Sequence, residues 1–291
     1  MDKPSLPGNY KVWYEGPNES NMTPGTQFMG VPYTGITFSS GVINFASHTD
    51  YATLMTRLEQ AVDDHEDAFF NAYSTLTAEQ LDAMIDATGF DENLPLREFE
   101  GYFGLSSLRA TVEAGELAYL AGSLETDPDA DCIVTDEIQR TVMNTSAQLK
   151  VDGIMYNAND YYNDNGTCRL IQRRVANHFN SADDRRTKTV IEFSGAYFGT
   201  SIIAKTKYFK KKSNGHWKKY PGDLRAQVGG GVYSFNCSYD QVFASHFKPV
   251  KTKRRFVSKR FFPLVFRQIQ SGTMISDHQS NGDSYSLSIT W

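Results

Sequence analysis

The spacing of apolar residues changes from a helical period to a strand period along the chain, and this change restricts the fold more than any other feature. Between residues 47 and 76 apolar side chains recur at steps of three and four, which predicts an amphipathic helix capped by Thr49 or Asp50. Beyond about residue 150 apolar and polar residues alternate, most clearly over residues 284–291. The sequence therefore predicts an α+β protein in which helices come first and strands follow.

Cap and turn signals refine the first part of the chain. The stretch TAEQ at residues 77–80 is a capping box, and Gly89 stands where a left-handed residue would end the following helix. Further helices are expected to start at Ser107 and Thr135. Asp152-Gly153 predicts a tight hairpin, because both central residues of a type I′ turn need positive φ angles. This part is thus expected to be mostly helical, with one small hairpin near its end.

Many short strands separated by turn residues occupy the second part, which is typical of a β-sandwich or a β-barrel. The triple glycine at residues 229–231 lies between two valines in a strand and predicts a bulge or a bend. A polar loop at residues 157–167 separates the two parts. We therefore predict a polar tether over residues 1–30, a helix-rich acidic domain over 31–160 and an all-β, sandwich- or barrel-like, basic domain over 161–291.

Charge is divided unequally between the two parts. Residues 1–150 hold 7 Lys and Arg against 24 Asp and Glu, whereas residues 151–291 hold 22 against 10. Such asymmetry is typical of an anion-binding region, of two parts that attract each other, or of two independent domains. Because the acidic part could neutralise the basic part within one molecule, charge alone does not indicate nucleic acid, and we do not expect nucleic acid as a partner.

One basic stretch, TKYFKKKSNGHWKKY, carries six lysines and four aromatic rings and turns at Asn214-Gly215. A two-residue turn there pairs Lys212 with Trp217. It also places Lys210 opposite Lys219, and like charges in that position destabilise a sheet by up to about 1 kcal/mol. A bound anion would offset this repulsion, but so would lysine stems that lie along rings with their tips in water. The stretch is therefore either an anion-binding face or a solvated hairpin.

A second basic stretch, KPVKTKRRFVSKRFF, begins at Lys248. Alternation along a strand predicts Arg254, Phe256 and Arg260 on one side of it. Basic residues interleaved with rings are typical of proteins that bind polyanions. The two stretches together give the predicted binding set: Lys210, Lys212, Trp217, Lys219, Arg254, Phe256 and Arg260.

Signatures of catalysis, cofactors and metals are missing from the sequence. It contains no nucleophile elbow, phosphate-binding glycine loop, H-E-x-x-H motif or dinucleotide fingerprint. Asp127-Pro-Asp129-Ala-Asp131 begins like a calcium loop, but Cys132 and Ile138 stand at its glycine and glutamate positions. We therefore predict a protein that is not an enzyme and has no cofactor and no metal site. A glycan-processing enzyme with two catalytic carboxylates is the lowest-ranked alternative.

Cysteine usage and hydropathy bear on the compartment. The three cysteines, Cys132, Cys168 and Cys237, show no metal-binding spacing, and a disulfide between Cys168 and Cys237 stays open. No run of about 18 apolar residues occurs, so no membrane span is expected. The first residues, MDKPSLPGNYKVWYEG, lack the apolar region of an export signal.

Several motifs together resemble an uncharacterised family of exported envelope proteins from gut Bacteroides-type bacteria. They are GVINFASHTDY, GLSSLRATVEAGE, TDEIQRTVMN, LKVDGIMYN, AKTKYFKKKSNGHWKKY and SYSLSITW, and they cover most of the chain after about residue 30. The resemblance implies a secreted or cell-surface protein of an adhesin-like class whose export signal has been removed. The family has no assigned active site, so it implies no residue roles. If the missing export signal is native, the chain would instead be cytoplasmic or part of a virion.

The function that we expect is that of a non-enzymatic binding or structural protein of the cell envelope. Its β-rich part would present lysine, arginine and aromatic side chains to an anionic glycan or protein. A phage virion or assembly protein that uses the charge asymmetry for subunit contacts is the alternative.

Overall fold

The protein is a mixed α+β protein, as the sequence predicts. The computed structural model describes residues 27–28, 31–32, 35–160, 170–196, 199–234, 239–247, 250–261 and 269–290. The chain forms two compact units, the first made of Met1–Thr111 and Ile138–Met155 and the second of Val112–Glu137 and Tyr156–Trp291. The segment 112–137 therefore groups with the strands, although the sequence places it in the helix-rich domain. Whether 31–160 and 161–291 fold as separate domains stays a prediction.

Strands of the first unit form a small mixed sheet in the order β3-β4-β5-β6. β3 and β4 pair antiparallel, whereas β4 and β5 pair parallel. Asp152 and Gly153 both have positive φ angles, 53° and 72°, which confirms the predicted hairpin. A separate short pair, β1 with β2, precedes this sheet. The bounds of these strands are β1 Gln27–Phe28, β2 Val31–Pro32, β3 Ile36–Ser39, β4 Val42–Phe45, β5 Gln148–Val151 and β6 Ile154–Asn157.

Three helices lie wholly within the first unit: α1 (His48–Ala72), α2 (Ala78–Thr88) and α3 (Leu94–Phe103). The predicted cap of α1 was wrong by two or three residues, because the side chain of Ser47 accepts the hydrogen bond from the backbone of Asp50. The capping box of α2 and its left-handed Gly89 are confirmed. Helix α3 was not predicted. One core cluster lies between α1 and α2 and contains Phe69, Phe70, Leu81 and Ile85.

Helices α4 (Leu108–Leu120), α5 (Pro128–Asp131) and α6 (Glu137–Val142) follow. The predicted start of α4 is confirmed within one residue, since the Ser107 hydroxyl accepts a hydrogen bond from the backbone of Ala110. Helix α5 lies in the segment that begins like a calcium loop, and the side chain of Asp127 caps it. The segment 112–137 thus consists of most of α4, then α5 and the approach to α6.

The second unit contains two antiparallel sheets. Sheet I has the order β10-β9-β8-β7, and β14 pairs with the same edge of β9 as β10 does. Sheet II has the order β12-β11-β15-β16, with β13 beside β12 on the edge of β11. The strands are β7 Leu170–Phe179, β8 Arg185–Ala196, β9 Gly199–Lys211, β10 Trp217–Lys219, β11 Gly222–Ser234, β12 Tyr239–Phe247, β13 Lys251–Arg254, β14 Phe256–Phe261, β15 Ile269–Ser280 and β16 Asp283–Thr290.

The two sheets pack face to face around one apolar core, which is the arrangement of a sandwich. We call the side of sheet I that meets sheet II its inner face and the opposite side its outer face. Inner-face residues of sheet I in the core are Ile191, Phe193, Ile202, Ala204 and Val257; those of sheet II are Leu224, Ala226, Val228, Met274, Leu287 and Ile289.

Strand β15 (Ile269–Ser280) is longer than the short strands that the sequence predicts for this unit. The bulge at the triple glycine is confirmed, because the pairing of β11 with β12 shifts register between Val228 and Gly230. Gly230 has a φ angle of 148°, and a Cβ atom there would lie 2.4 Å from the Thr273 backbone oxygen. Close approach of β15 therefore explains the glycine.

Candidate functional site

The basic hairpin of β9 and β10 turns through three residues, not two. The Lys212 backbone N–H donates to the His216 carbonyl at 2.7 Å, and Gly215 takes a φ angle of 85°. Three-residue hairpin loops commonly have this form, in which a β-turn is followed by a residue in the left-handed conformation, here Gly215. As a result, Lys211 pairs with Trp217 and Lys210 pairs with Lys218. The predicted pairing was wrong by one residue, which moves every side chain of β10 to the other face of the sheet.

This register divides the predicted binding set between two faces. Lys210 and Lys212 follow the inner-face alternation of β9, and Lys212 is exposed at the turn. Trp217 and Lys219 belong to the outer face, opposite Lys211 and Phe209. Trp217 contacts the Arg186 guanidinium, 5.1 Å from its ring centre. The four residues therefore do not form the single surface that was predicted.

The second basic stretch is also divided, because the chain changes sheets at Arg255. Arg254 pairs with Gly222 of sheet II, and its side chain is buried. Phe256 pairs with Lys207 of sheet I, and its ring lies 5.9 Å from the Lys205 ammonium group. Arg260 pairs with Ile203 of the same sheet; its side chain is outside the described part of the structure. The alternation predicted across these three residues fails at that change of sheet.

The acidic segment 112–137 covers lysines on the outer face of sheet I. It holds eight Asp and Glu residues and no Lys or Arg. Opposite it, Lys188 of β8 pairs directly with Lys207 of β9, and Lys205 follows two residues away on the same face. We call the resulting group of buried charges the charge cluster, which consists of Lys188, Lys205, Lys207, Lys219, Glu116, Asp127, Asp129 and Glu137.

Asp129 stands at the centre of the charge cluster. Its carboxylate lies 2.7 Å from the Lys188 ammonium group, 3.0 Å from that of Lys207 and 3.5 Å from that of Lys205. Lys207 also donates to Glu116 at 2.8 Å, and Lys205 donates to the Thr135 carbonyl at 2.8 Å. The five buried members, Lys188, Lys205, Lys207, Glu116 and Asp129, are thus each paired with an opposite charge, as buried charges require, while Asp127, Glu137 and Lys219 are half-buried.

These ion pairs shift the pKa values of two members of the charge cluster, Glu116 and Lys207. Burial alone would raise the pKa of the Glu116 carboxyl, but the ammonium groups of Lys207 and Lys219 outweigh it and hold that pKa at about 2. Burial would likewise lower the pKa of Lys207, yet Asp129 and Glu116 keep it well above its ordinary value. Glu116 and Lys207 are therefore both charged throughout the neutral range. The ion pair between Lys219 and Glu116 removes Lys219 from the residues available to an external anion.

A metal ion would find unfavourable surroundings among these carboxylates. Oxygens of Glu116, Asp127 and Asp129 lie within 4.8 Å of one another, a spacing that could suit a cation. However, Lys188 bridges Asp127 and Asp129, and Lys207 bridges Glu116 and Asp129. The ammonium groups already supply the positive charge that a metal would bring.

Along β8 and β9 the inner face of sheet I changes from apolar to polar and then to positively charged side chains. Direct cross-strand pairs run from Phe193–Ile202 and Ile191–Ala204 in the apolar core, through Thr189–Thr206, to Arg185–Lys210 at the end of the sandwich. Lys218 of β10 continues that last pair, because it lies directly opposite Lys210. We call Arg185, Lys210 and Lys218 the cation row. It places three positive side chains in line on three neighbouring strands.

Lys210 is the central member of the cation row. Within the part of the chain that the structure describes, it makes no ion pair. Its ammonium group lies 4.8 Å from the ring centre of Tyr220, and the Arg185 guanidinium lies 5.0 Å from the same ring. Arg185 also contacts the Asp184 carboxylate at 2.6 Å. Tyr220 is buried, so it supports the two cations from beneath and offers no ring surface to a ligand.

A layer of hydroxyl and imidazole groups separates the cation row from the apolar core. His278 is buried, with its Nδ1 atom 2.9 Å from the Thr206 hydroxyl and its Nε2 atom 2.7 Å from the Ser276 hydroxyl. The ring of His178 stacks on Tyr285 at 3.9 Å. A serine beside a histidine is a catalytic pair in some enzymes, but Ser276 and His278 are both buried inside the sandwich, so a substrate cannot reach them.

Of the cysteines, Cys132 is half-buried with a free thiol. Cys168 and Cys237 lie outside the described residues, as do residues 1–26 of the predicted tether. None of the helices in the described part of the chain combines the length and the apolarity needed to cross a lipid bilayer.

Fold and site together define a mixed α+β protein with an internally neutralised charge cluster and a cation row at the end of a sandwich. No family model matches the chain, and no curated protein matches it. A crystal structure of a DUF4848 family protein from Bacteroides thetaiotaomicron is similar at 12% identity, with a TM-score of 0.27, over 88% of this chain and 100% of that one. At this TM-score the similarity carries no argument about the family, fold or function of the protein.

Proposed function

We propose that this protein is a non-enzymatic binding or structural protein, secreted or at the bacterial cell surface, that contacts an anionic glycan or protein through the cation row. The observation that supports it is the position of Lys210, which stands directly between two other cations and has no ion pair among the described residues. Like charges in this arrangement destabilise a sheet. A partner that brings negative charge would relieve the repulsion.

Other members of the predicted binding set fit this role less well. Lys219 is paired with Glu116 in the charge cluster, and Arg254 is buried in sheet II. Lys212 remains suitable, because it is exposed and follows the same face as Lys210. Aromatic rings then act by holding the cations in place, and they are not contact surfaces for the partner.

The two alternatives receive less support. A virion or assembly role would use opposite charges for subunit contacts, yet the charge cluster already pairs part of these charges within one unit. A glycan-processing enzyme needs two carboxylates that face a cleft. Glu116, Asp127 and Asp129 form one group of converging carboxylates among the described residues, and lysines already contact all three.

Salt-dependent retention on an anionic matrix tests the proposal. We expect the wild-type protein to bind heparin-agarose or polyglutamate-agarose at low salt and to elute as salt rises. Lys210→Gln should elute earlier, with a salt slope smaller by about one. The matched control is Lys211→Gln, which removes the same charge from the outer face, where Lys211 pairs with Asp183 at 2.8 Å. Absence of retention on both matrices at low salt would overturn the proposal.

A further inference from the structure

The edge strands of the two sandwich sheets differ in how they are protected against pairing with another chain. Edge strands present unpaired backbone N–H and C=O groups, and soluble proteins protect them with charged side chains, with bulges or by keeping them short. β10 and β13 are strands of three and four residues that carry lysine. The ladder of β12 with β11 shifts register twice. The longer edge strands β7 and β14 carry Arg173, Arg174, Lys259 and Arg260.

β16 has none of these protective features. It extends from Asp283 to Thr290, contains no Lys, Arg or Pro, and pairs with β15 through an unbroken ladder. Within the described part of the chain, β15 is the strand that pairs with β16, so the other edge of β16 is open. Its charged residue, Asp283, lies at the end beside the turn. β16 is therefore the edge of the sandwich that is best suited to the addition of another strand.

The turn before β16 determines which of its backbone groups face this open edge. Asn281 and Gly282 form a two-residue loop with φ angles of 47° and 94°, so the flanking pair Ser280–Asp283 is the first hydrogen-bonded pair of the ladder. Hydrogen-bonded and non-hydrogen-bonded pairs then alternate along an antiparallel ladder. The residues that direct their N–H and C=O groups away from β15 are therefore Ser284, Ser286, Ser288 and Thr290.

A second copy of β16 fits this edge best in one register. Two identical strands related by a two-fold axis between them pair antiparallel. With the axis at Leu287, Ser286 lies opposite Ser288 of the second copy. Ser284 then lies opposite Thr290. Every outward N–H and C=O group of both strands has a partner in this register, whereas an axis at a neighbouring residue leaves some of these groups unpaired.

Side chains also match in this register. The hydroxyl residues of the outer face meet one another, while on the inner face Tyr285 meets Ile289, an aromatic and a β-branched residue that pair favourably. Leu287 meets its own copy on the same inner face. Asp283 lies beyond the last paired residue, so no like charges stand opposite one another. An edge that is complementary to itself favours a second copy over an unrelated strand.

We infer that two copies of the protein associate through β16, which pairs antiparallel with its own copy and joins the two copies of sheet II into one continuous sheet. The interface consists of backbone hydrogen bonds and uncharged side chains. It does not use the cation row, which belongs to sheet I, so this inference is independent of the proposed function. β7, against which β16 packs across the sandwich, carries arginines, so we do not expect sheet I to continue in the same way.

Sedimentation equilibrium of the full chain over a range of protein concentrations tests the inference. We expect a reversible equilibrium between monomer and dimer for the wild type. Ser286→Pro removes an outward N–H group within the interface but no bond to β15, and Ser286→Lys adds the charge that protects other edges. Each should raise the dissociation constant of the dimer about tenfold or more. The matched control is Ser286→Ala, which keeps the backbone N–H group and should dimerise like the wild type.

The results that would overturn the inference are specific. One is a wild type that stays monomeric at the highest soluble concentration; if its Ser286 and Ser288 amides are then still protected from hydrogen exchange, another segment of the same chain covers the edge. Another is a dimer that Ser286→Pro and Ser286→Lys leave intact, because it must use another surface. A third is a dimer that dissociates as salt rises, because no ion pair crosses the β16 interface. Circular dichroism shows whether each variant is folded, and Ser286→Lys decides the question if the proline variant is not.

Discussion

Replacement of His278 by glutamine should remove a large part of the acid sensitivity of the β-rich unit. In the folded protein both ring nitrogens of His278 contact hydroxyl groups, those of Thr206 and Ser276, and neither contacts a carboxylate. Burial, together with the nearby His178, lowers the pKa of His278 from 6.5 to about 3. The imidazole is therefore neutral in the folded state over a range in which the unfolded chain would protonate it.

The sign and size of the effect follow from this difference. Since the unfolded state binds the proton more readily, the stability contributed by neutral His278 is complete above pH 6.5 and is lost as the pH falls from about 6.5 towards 3. Between pH 7.5 and pH 5.0 the loss is about 2 kcal/mol in the free energy of unfolding. The Glu116 carboxyl contributes in a lower window, because its pKa falls from 4.5 to about 2 in the folded state.

Urea unfolding at pH 7.5 and pH 5.0, followed by tryptophan fluorescence, measures the effect in wild type and in His278→Gln. The wild-type free energy of unfolding should fall by about 2 kcal/mol more than that of the variant. His178, whose pKa burial also lowers, is present in both proteins, so its contribution largely cancels in the comparison. An equal fall in both proteins, or an NMR titration of the His278 ring with a midpoint near 6.5, would refute the reasoning.

Three further substitutions test other parts of the structure. Asp129→Asn should lower the free energy of unfolding by about 3–5 kcal/mol in chemical denaturation, because it leaves buried lysines without their central partner. Asp131→Asn, at an exposed position, should lower it much less. Equal losses in the two variants would contradict the role of the charge cluster. Gly230→Ala should lower the thermal midpoint more than Gly282→Ala does. Both glycines have positive φ angles, but only at Gly230 would an added Cβ atom meet a backbone oxygen of β15. Equal shifts in the two variants would show that backbone strain, and not the close approach of β15, sets the cost. Thr77→Ala should cost about 0.5–2 kcal/mol of stability through loss of the α2 cap, and a neutral result in the same denaturation assay would count against the capping box.

Local signals in the sequence were sufficient for several elements. The capping box at Thr77, the left-handed Gly89 and the hairpin at Asp152-Gly153 each depend on residues within a few positions of one another. Such signals act through backbone conformation and nearby hydrogen bonds, so they can be read without knowledge of the rest of the fold. The missed helix α3 lacks a side-chain cap bond, although Pro95 in its first turn and the left-handed Gly104 after its end are local signals of a helix.

The candidate site depended on pairings that local signals do not fix. Asn214-Gly215 correctly marked the basic hairpin, but the loop contained three residues, and the shift by one residue sent Lys219 to the opposite face from Lys210. A two-residue and a three-residue loop differ little in local sequence. The register instead follows from which face of β9 must meet the sandwich core.

By itself the sequence determined that helices precede strands, where several of them begin and end, and that acidic and basic residues are concentrated in different parts of the chain. Only the tertiary structure decided which lysines are covered and which are presented. Lys207 meets Glu116 and Asp129 across separations of 91 and 78 residues, and no local pattern reports such a contact. The physical reason is that burying a charge requires an opposite charge beside it, and the fold alone determines which residues are brought together.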